Sequence, residues 1–128
     1  MLDMDTTETI DVQVETQYLP EQSMVDEERY MFSYTITITN QSELSAQLIS
    51  RSWLITDSNG EVNTVEGDGV VGQQPILQPS QSYRYTSGCI LKSPLGTMEG
   101  FYIFVQEDGK KVKAPIDVFT LAMPNIIN

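Results

Sequence analysis

Three glycines in the middle of the chain have the spacing that most resembles a chemical motif. Residues 67–72, GDGVVG, match the pattern GxGxxG. In dinucleotide-binding folds this pattern joins a strand to a helix whose N-terminal amides face a pyrophosphate. Pro75 and Pro79 follow the segment, and two prolines four residues apart exclude a regular helix there. The dinucleotide interpretation therefore lacks the helix on which it depends.

Two other interpretations of the glycines stay open. Successive glycine amides can form a nest that binds one anionic group, so Gly67, Gly69 and Gly72 are candidate ligands of a phosphate, a nucleotide or pyrophosphate. Alternatively, the glycines let a long loop cross the end of the domain in conformations closed to other residues. Glu66 and Asp68 place negative charge beside the supposed phosphate, which favours the structural interpretation.

The composition removes most catalytic mechanisms. The 128-residue chain has no histidine and one cysteine, Cys89, so it has no imidazole base, no disulfide of its own and none of the commonest zinc sites. Neither Ser-x-x-Lys nor Gly-x-Ser-x-Gly occurs. The acid pairs Glu66/Asp68 and Glu107/Asp108 stand in turns, where carboxylates are usually solvated. We predict a protein that is not an enzyme and has no catalytic residues, no metal site and no cofactor.

The charge of the chain restricts its partners. The formal net charge is −11, and residues 1–28 contain nine of the 18 acids and no lysine or arginine. Such a surface argues against nucleic acid and membranes as partners, because both rely on lysine and arginine. The acidic N-terminus is no signal peptide, and we expect a cytoplasmic protein. The acids at 26–28 are expected to be a solvated cluster rather than a cation site.

The elements that must position these residues are strands. Side chains alternate between apolar and polar along most of the chain, and no segment has a helical period. The predicted strands cover residues 10–18, 30–39, 47–57, 62–65, 83–91, 100–105 and 111–121. Turns fall at 57–60 and 107–110, and a long loop runs from Gly67 to Ser82. We expect a bulge near Arg51, and Pro115 indicates an edge position or a second bulge.

Individual side chains add detail to these strands. Trp53 and Cys89 are expected in the core, and Val118 is expected to point inward in phase with Val112, Ala114 and Ile116. Residues 100–105 are apolar on both faces, which predicts a central strand covered on each side. The apolar tail, residues 122–127, is expected to pack on its own domain.

Together the strands predict an all-β, single-domain antiparallel β-sandwich of about seven strands, similar to immunoglobulin or fibronectin type III domains. A closed barrel is the alternative. The domain spans residues 1–128, with residues 1–8 as a flexible acidic N-terminus.

Several segments also resemble one family. They are residues 29–38 (RYMFSYTITI), 53–56 (WLIT), 66–75, 85–88 (YTSG), 94–100 (PLGTMxG) and 119–124 (FxLAxP), and they are similar to the bacterial ApaG family in order and spacing. The resemblance implies a fibronectin type III or immunoglobulin-like sandwich. It also implies an association with cobalt and magnesium ion efflux, and a glycine motif at Gly67, Gly69 and Gly72.

The resemblance implies no settled activity. Related eukaryotic domains occur in F-box proteins and in a polymerase-delta-interacting protein, where a binding role is inferred. Our leading hypothesis is a non-enzymatic binding module that contacts an unidentified protein partner as a monomer or weak homodimer. Phosphate or nucleotide binding through residues 67–72 is the alternative.

Overall fold

The computed structural model describes residues 4–5 and 9–125, with side chains from residue 9 onward. In this part of the chain there are strands and two short 3-10 turns, and no α-helix. Two sheets pack as an open antiparallel sandwich, which confirms the predicted fold class. The predicted flexible segment, residues 1–8, lies outside the described residues except for the backbone of residues 4–5.

The strands have the following bounds: β1 Met4–Asp5, β2 Ile10–Tyr18, β3 Tyr30–Asn40, β4 Ala46–Asp57, β5 Val62–Asp68, β6 Ile76–Leu77, β7 Ser82–Leu91, β8 Leu95–Gln106 and β9 Lys111–Ala122. The 3-10 turns are Pro20–Gln22 and Val25–Glu27. The seven long strands correspond to the seven predicted ones. The pairing of β1 with β9 and that of β6 with β4 were not predicted, because a two-residue strand leaves no periodic pattern in the sequence.

The topology leaves one side of the sandwich open. The large sheet has the order β1-β9-β8-β4-β5, with β6 also beside β4, and the small sheet has the order β2-β3-β7. On one side, β2 packs against β9 and closes the sandwich. On the other side, β5 and β7 are the last strands of their sheets, so each has a free edge within the described part of the chain.

The core lies between the inward faces of the two sheets. Trp53 of β4 is buried near its centre, with its ring centroid 5.4 Å from that of Tyr34 and 6.4 Å from that of Tyr102. Phe119 contacts the same indole at 5.9 Å, edge to face, a favoured arrangement of aromatic pairs. The prediction that Trp53 and Cys89 are buried is confirmed.

Two bulges shift the register between strands of the large sheet. The register of β4 against β8 shifts between Leu48 and Ser50, which confirms the bulge predicted near Arg51. A second shift, between Met98 and Gly100, inserts an extra residue into β9. Val118 is therefore 59% exposed, although the alternation along β9 predicted an inward side chain.

The bounds of two strands also differ from the prediction. β5 continues to Asp68, so Gly67 belongs to a strand and not to the predicted loop. β8 begins at Leu95 and is central, between β4 and β9, as predicted. Its outer side chains, such as Ile103, are only half-buried, because a two-layer sandwich covers one face of each sheet.

The start of the tail packs on the domain. The amide of Met123 donates to the Pro94 carbonyl at 2.9 Å, while residues 126–127 lie outside the described part of the chain. Within residues 4–5 and 9–125, no helix is long and apolar enough to cross a membrane.

Candidate functional site

Gly67 lies in β5 directly opposite Arg51 of β4. A Cβ atom at this position would lie 2.9 Å from Arg51 Nη1. The guanidinium thus occupies the space that a side chain at Gly67 would need. Arg51 Nη1 donates to the carbonyls of Asp68 at 3.0 Å and Gly69 at 2.9 Å, so Arg51 fastens the end of β5 to β4.

Gly69 and Gly72 belong to the connection between β5 and β6, which follows the edge of β4. The Gly69 amide donates to the Ile49 carbonyl at 2.8 Å, and Val70 and Gln73 exchange two backbone hydrogen bonds of 2.8 and 2.9 Å. Between them, Val71 and Gly72 have φ of 47° and 77°. Two central residues with positive φ are characteristic of a type I′ turn.

The structure therefore brings Gly69 and Gly72 into one turn and places Gly67 outside it. The amide of Gly69 is already bonded to Ile49, which leaves the amides of Val71 and Gly72 at the tip of the turn as the groups open to an anion. Arg84, the basic residue nearest in sequence, forms an ion pair of 3.2 Å with Glu15 instead. Phosphate binding at residues 67–72 stays a prediction.

A groove opens on the side of the sandwich where β5 and β7 end the two sheets. We call it the β5–β7 groove. It has a volume of about 490 Å³ and is lined by Tyr34, Arg51, Trp53, Ile55, Asn63, Thr64, Val65, Ser87, Gly88, Cys89, Ile90 and Met98. One wall comes from β5, the other from β7, and the floor comes from the core.

The rims of this groove carry exposed apolar side chains. Val65 of β5 is 39% exposed, and Ile90 of β7 is 50% exposed. All residues of β5 except Gly67 are exposed. Exposed apolar side chains beside a free strand edge mark interaction surfaces. Sequence reasoning missed this groove, because it depends on which strands end each sheet.

The ionisable groups at the groove are poorly suited to acid–base or nucleophilic chemistry. Burial, with a smaller contribution from the charge of Asp57, raises the pKa of the Cys89 thiol from 9.0 to about 11. Burial also raises the pKa of Tyr34. Behind them, the hydroxyls of Tyr85 and Tyr102 share a hydrogen bond, and burial raises the pKa of both. These groups stay protonated at neutral pH.

The acid pairs considered from the sequence lie at separate places. Glu66 and Asp68 are exposed on the outer face of β5. Glu107 accepts hydrogen bonds from Ser45, and Asp108 accepts one from the Lys110 amide, so both stabilise chain turns. In the region with described side chains, residues 9–125, no three acidic, cysteine or histidine side chains are grouped to hold a metal ion.

Comparison with known proteins identifies relatives over most of the chain. The family model of the ApaG domain matches residues 20–106. A Protein ApaG of Vibrio campbellii is 53% identical over 119 residues, which cover 93% of this chain and 94% of that protein. A Protein ApaG of Azotobacter vinelandii is 52% identical over 119 residues, again 93% and 94% of the two chains.

A solved structure agrees with the fold. A Bordetella pertussis crystal structure described as an ApaA protein superposes with a TM-score of 0.89 at 47% identity, covering 94% of this chain and 98% of that one. The names of these relatives state a family and no reaction.

Proposed function

The chain belongs to the ApaG family, and we propose on that premise that it is a non-enzymatic interaction module that binds an extended segment of a partner protein in the β5–β7 groove. One observation carries the proposal: two strand edges that are free within the described residues border the same groove, whose floor includes Trp53 and Met98. An extended segment that joins such an edge gains main-chain hydrogen bonds, while alternate side chains enter the groove.

The free edge of β5 is available for this pairing. In the hairpin before β5, the Asp57 amide donates to the Glu61 carbonyl at 2.8 Å. Hydrogen-bonded and non-bonded pairs alternate along an antiparallel ladder. From this register, Asn63, Val65 and Gly67 bond to β4, and the main-chain groups of Val62, Thr64 and Glu66 face away from it, whereas the Asp68 carbonyl is already bonded to Arg51.

The chemistry of the groove supports binding rather than catalysis. Its floor contains Trp53, Met98 and Cys89, and the thiol is held protonated by burial. We take the free protein to be a monomer or a weak homodimer in the cytoplasm, where a lone thiol stays reduced. On this proposal, any link to cobalt and magnesium efflux runs through the protein partner.

A displayed library of random twelve-residue peptides, selected on the immobilised chain, tests the proposal. Selected peptides are then titrated while the backbone amide resonances of the protein are followed. We expect the largest shifts in residues 62–68 and 87–90. Shifts confined to other surfaces, or no selected peptide, would overturn the proposal. Titrations with ATP and pyrophosphate test the alternative, which predicts shifts at Val71 and Gly72.

A variant of β5 tests whether the peptide pairs with the main chain of this strand. Thr64→Pro removes an amide that faces away from β4, so the domain should still fold while main-chain pairing with a peptide is lost. Thr64→Val is the matched control, because it keeps the amide and the branched shape. Thermal unfolding checks that both variants are folded. Equal peptide affinity of the two variants would contradict strand addition at β5.

A further inference from the structure

Resting on the proposed function, we infer that β5 is the edge that is used and that the partner segment alternates apolar side chains with lysine or arginine. The two faces of β5 differ in the way that selects such a segment. Asn63 and Val65 lie opposite Ile55 and Trp53 and line the groove, whereas the side chains of Val62, Thr64, Glu66 and Asp68 alternate with them and belong to the outward face of the strand.

The outward face of β5 has uncompensated negative charge. Ion pairs in the region with described side chains join Arg84 to Glu15 and Lys92 to Glu61, and neither involves Glu66 or Asp68. Arg51 forms no ion pair with either carboxylate, and its guanidinium donates to the main-chain carbonyls of Asp68 and Gly69. A neighbouring strand places its side chains about 5 Å from those opposite them. Cationic side chains therefore fit opposite Glu66 and Asp68.

The outer surface also offers room for long cationic side chains. A depression of about 450 Å³ beside β5 is lined by Ser50, Arg51, Ser52, Glu66, Gly67, Asp68 and Phe101. Lysine and arginine bury their aliphatic stems on apolar surface while the charged group stays at the rim. The ammonium of Lys113 already lies 4.3 Å from the centroid of the Phe101 ring, so the carboxylates of Glu66 and Asp68 are the groups that favour a cationic side chain over a neutral or acidic one.

The inward face requires apolar side chains. In a paired segment, the residue between the two cationic positions lies opposite Gly67, beside the Arg51 guanidinium, and the next inward residue lies opposite Val65 and faces Trp53 and the groove floor. Residues two apart in a strand are about 7 Å apart on one face, so cations at i and i+2 match Glu66 and Asp68. A second copy of this chain fits less well, because each copy has a net charge of −11.

β7 is the less suitable edge for this selection. Its charged residue, Arg84, is already paired with Glu15. Its other outward side chains include Thr86, which hydrogen-bonds Thr35 at 2.8 Å within the small sheet. β5 therefore carries the charges that distinguish one segment from another.

Three peptides of equal length test the inference. All have valine at alternate positions, and the positions between them are lysine, serine or glutamate. Titration followed by amide resonances gives both the affinity and the strand contacted. We expect the lysine peptide to bind β5 about fivefold more tightly than the serine peptide, since two exposed charge pairs contribute modestly. The glutamate peptide should bind most weakly.

Variants and salt distinguish the selection by charge from strand addition itself. Glu66→Gln/Asp68→Asn should remove the preference for lysine, and Glu21→Gln/Glu43→Gln, which removes two exposed charges elsewhere, should keep it. The preference should shrink at 0.5 M salt. Equal binding of the lysine and serine peptides at β5 would refute the charge selection and leave strand addition standing. Shifts only along β7 would refute the choice of edge, and no shifts at either strand would refute the proposed function itself.

Discussion

The glycines of the 67–72 segment are each required for a different reason. Gly67 makes room for the Arg51 guanidinium, Gly69 combines φ of 63° with close approach to the Gln73 carbonyl, and Gly72 has φ of 77° in open space. Their spacing was visible in the sequence. Their separate roles were not, because the pairing of β5 with β4 determines them.

Alanine substitutions should distinguish these contacts. Gly72→Ala adds only the cost of a left-handed conformation, about 1–2 kcal/mol. Gly69→Ala has the same cost and also directs its Cβ into the Gln73 carbonyl oxygen, so it should lower the free energy of unfolding further. Urea denaturation of the two variants measures the difference. Equal destabilisation would show that Gln73 moves freely and that the turn is not packed as described.

Cys89 gives the fold a stability component that depends on pH. The pKa of its thiol rises from 9.0 to about 11 on folding, so the folded state retains the proton more tightly than the unfolded state. The resulting contribution is fully present below pH 9 and is lost as the pH rises toward 11. Burial raises the pKa of Tyr34, Tyr85 and Tyr102 in the same direction.

Comparison with Cys89→Ala isolates the thiol from the tyrosines. Urea denaturation of both proteins from pH 7 to pH 10.5 gives the difference in their free energies of unfolding. We expect this difference to be constant below about pH 8.5 and to change above it in favour of the variant. A difference that stays constant to pH 10.5 would mean that the thiol is not desolvated by folding.

At the scale of elements, the alternation of side chains, together with turn residues and the apolar run at residues 100–105, predicted the seven long strands. It failed where one residue was inserted, because a bulge reverses the faces of every following residue. Val118 is exposed for this reason, and Phe119 and Leu121 take its place toward the core. The predicted loop from Gly67 to Ser82 also begins too early, because Gly67 pairs with Arg51 and belongs to β5.

The turn at residues 70–73 contains a local conflict between sequence and conformation. Val71 is a β-branched residue with φ of 47°, and its side chain is 62% exposed. Such residues rarely adopt positive φ, whereas asparagine does so readily. Val71→Asn should therefore stabilise the domain by about 1 kcal/mol.

The control for this substitution is Val62→Asn, which places the same residue at an exposed position within a strand. Asparagine is disfavoured in strands, so the control should be neutral or destabilising. Thermal and urea unfolding give both values. Destabilisation by Val71→Asn would show that the valine side chain makes a contact that outweighs its backbone strain.

At the scale of the whole molecule, the sandwich is closed by β2 against β9 and open between β5 and β7. No local pattern in the sequence contains this asymmetry, because it follows from the order of strands in two sheets. The sequence did show where the acids lie. From the sequence we could predict a binding module, but we could not locate the β5–β7 groove.

The open side and the charge of the chain act against each other in self-association. Free edges and exposed Val62, Val65 and Ile90 favour contact between copies, and a net charge of −11 on each copy opposes it. Salt screens the repulsion and leaves apolar contact intact. We therefore expect a monomer at 20 mM salt and several-fold stronger dimerisation at 0.5 M salt, measured by sedimentation. Thr64→Pro should weaken the dimer and Thr64→Val should not. Association that decreases with salt would instead indicate a contact based on ion pairs, away from the β5–β7 groove.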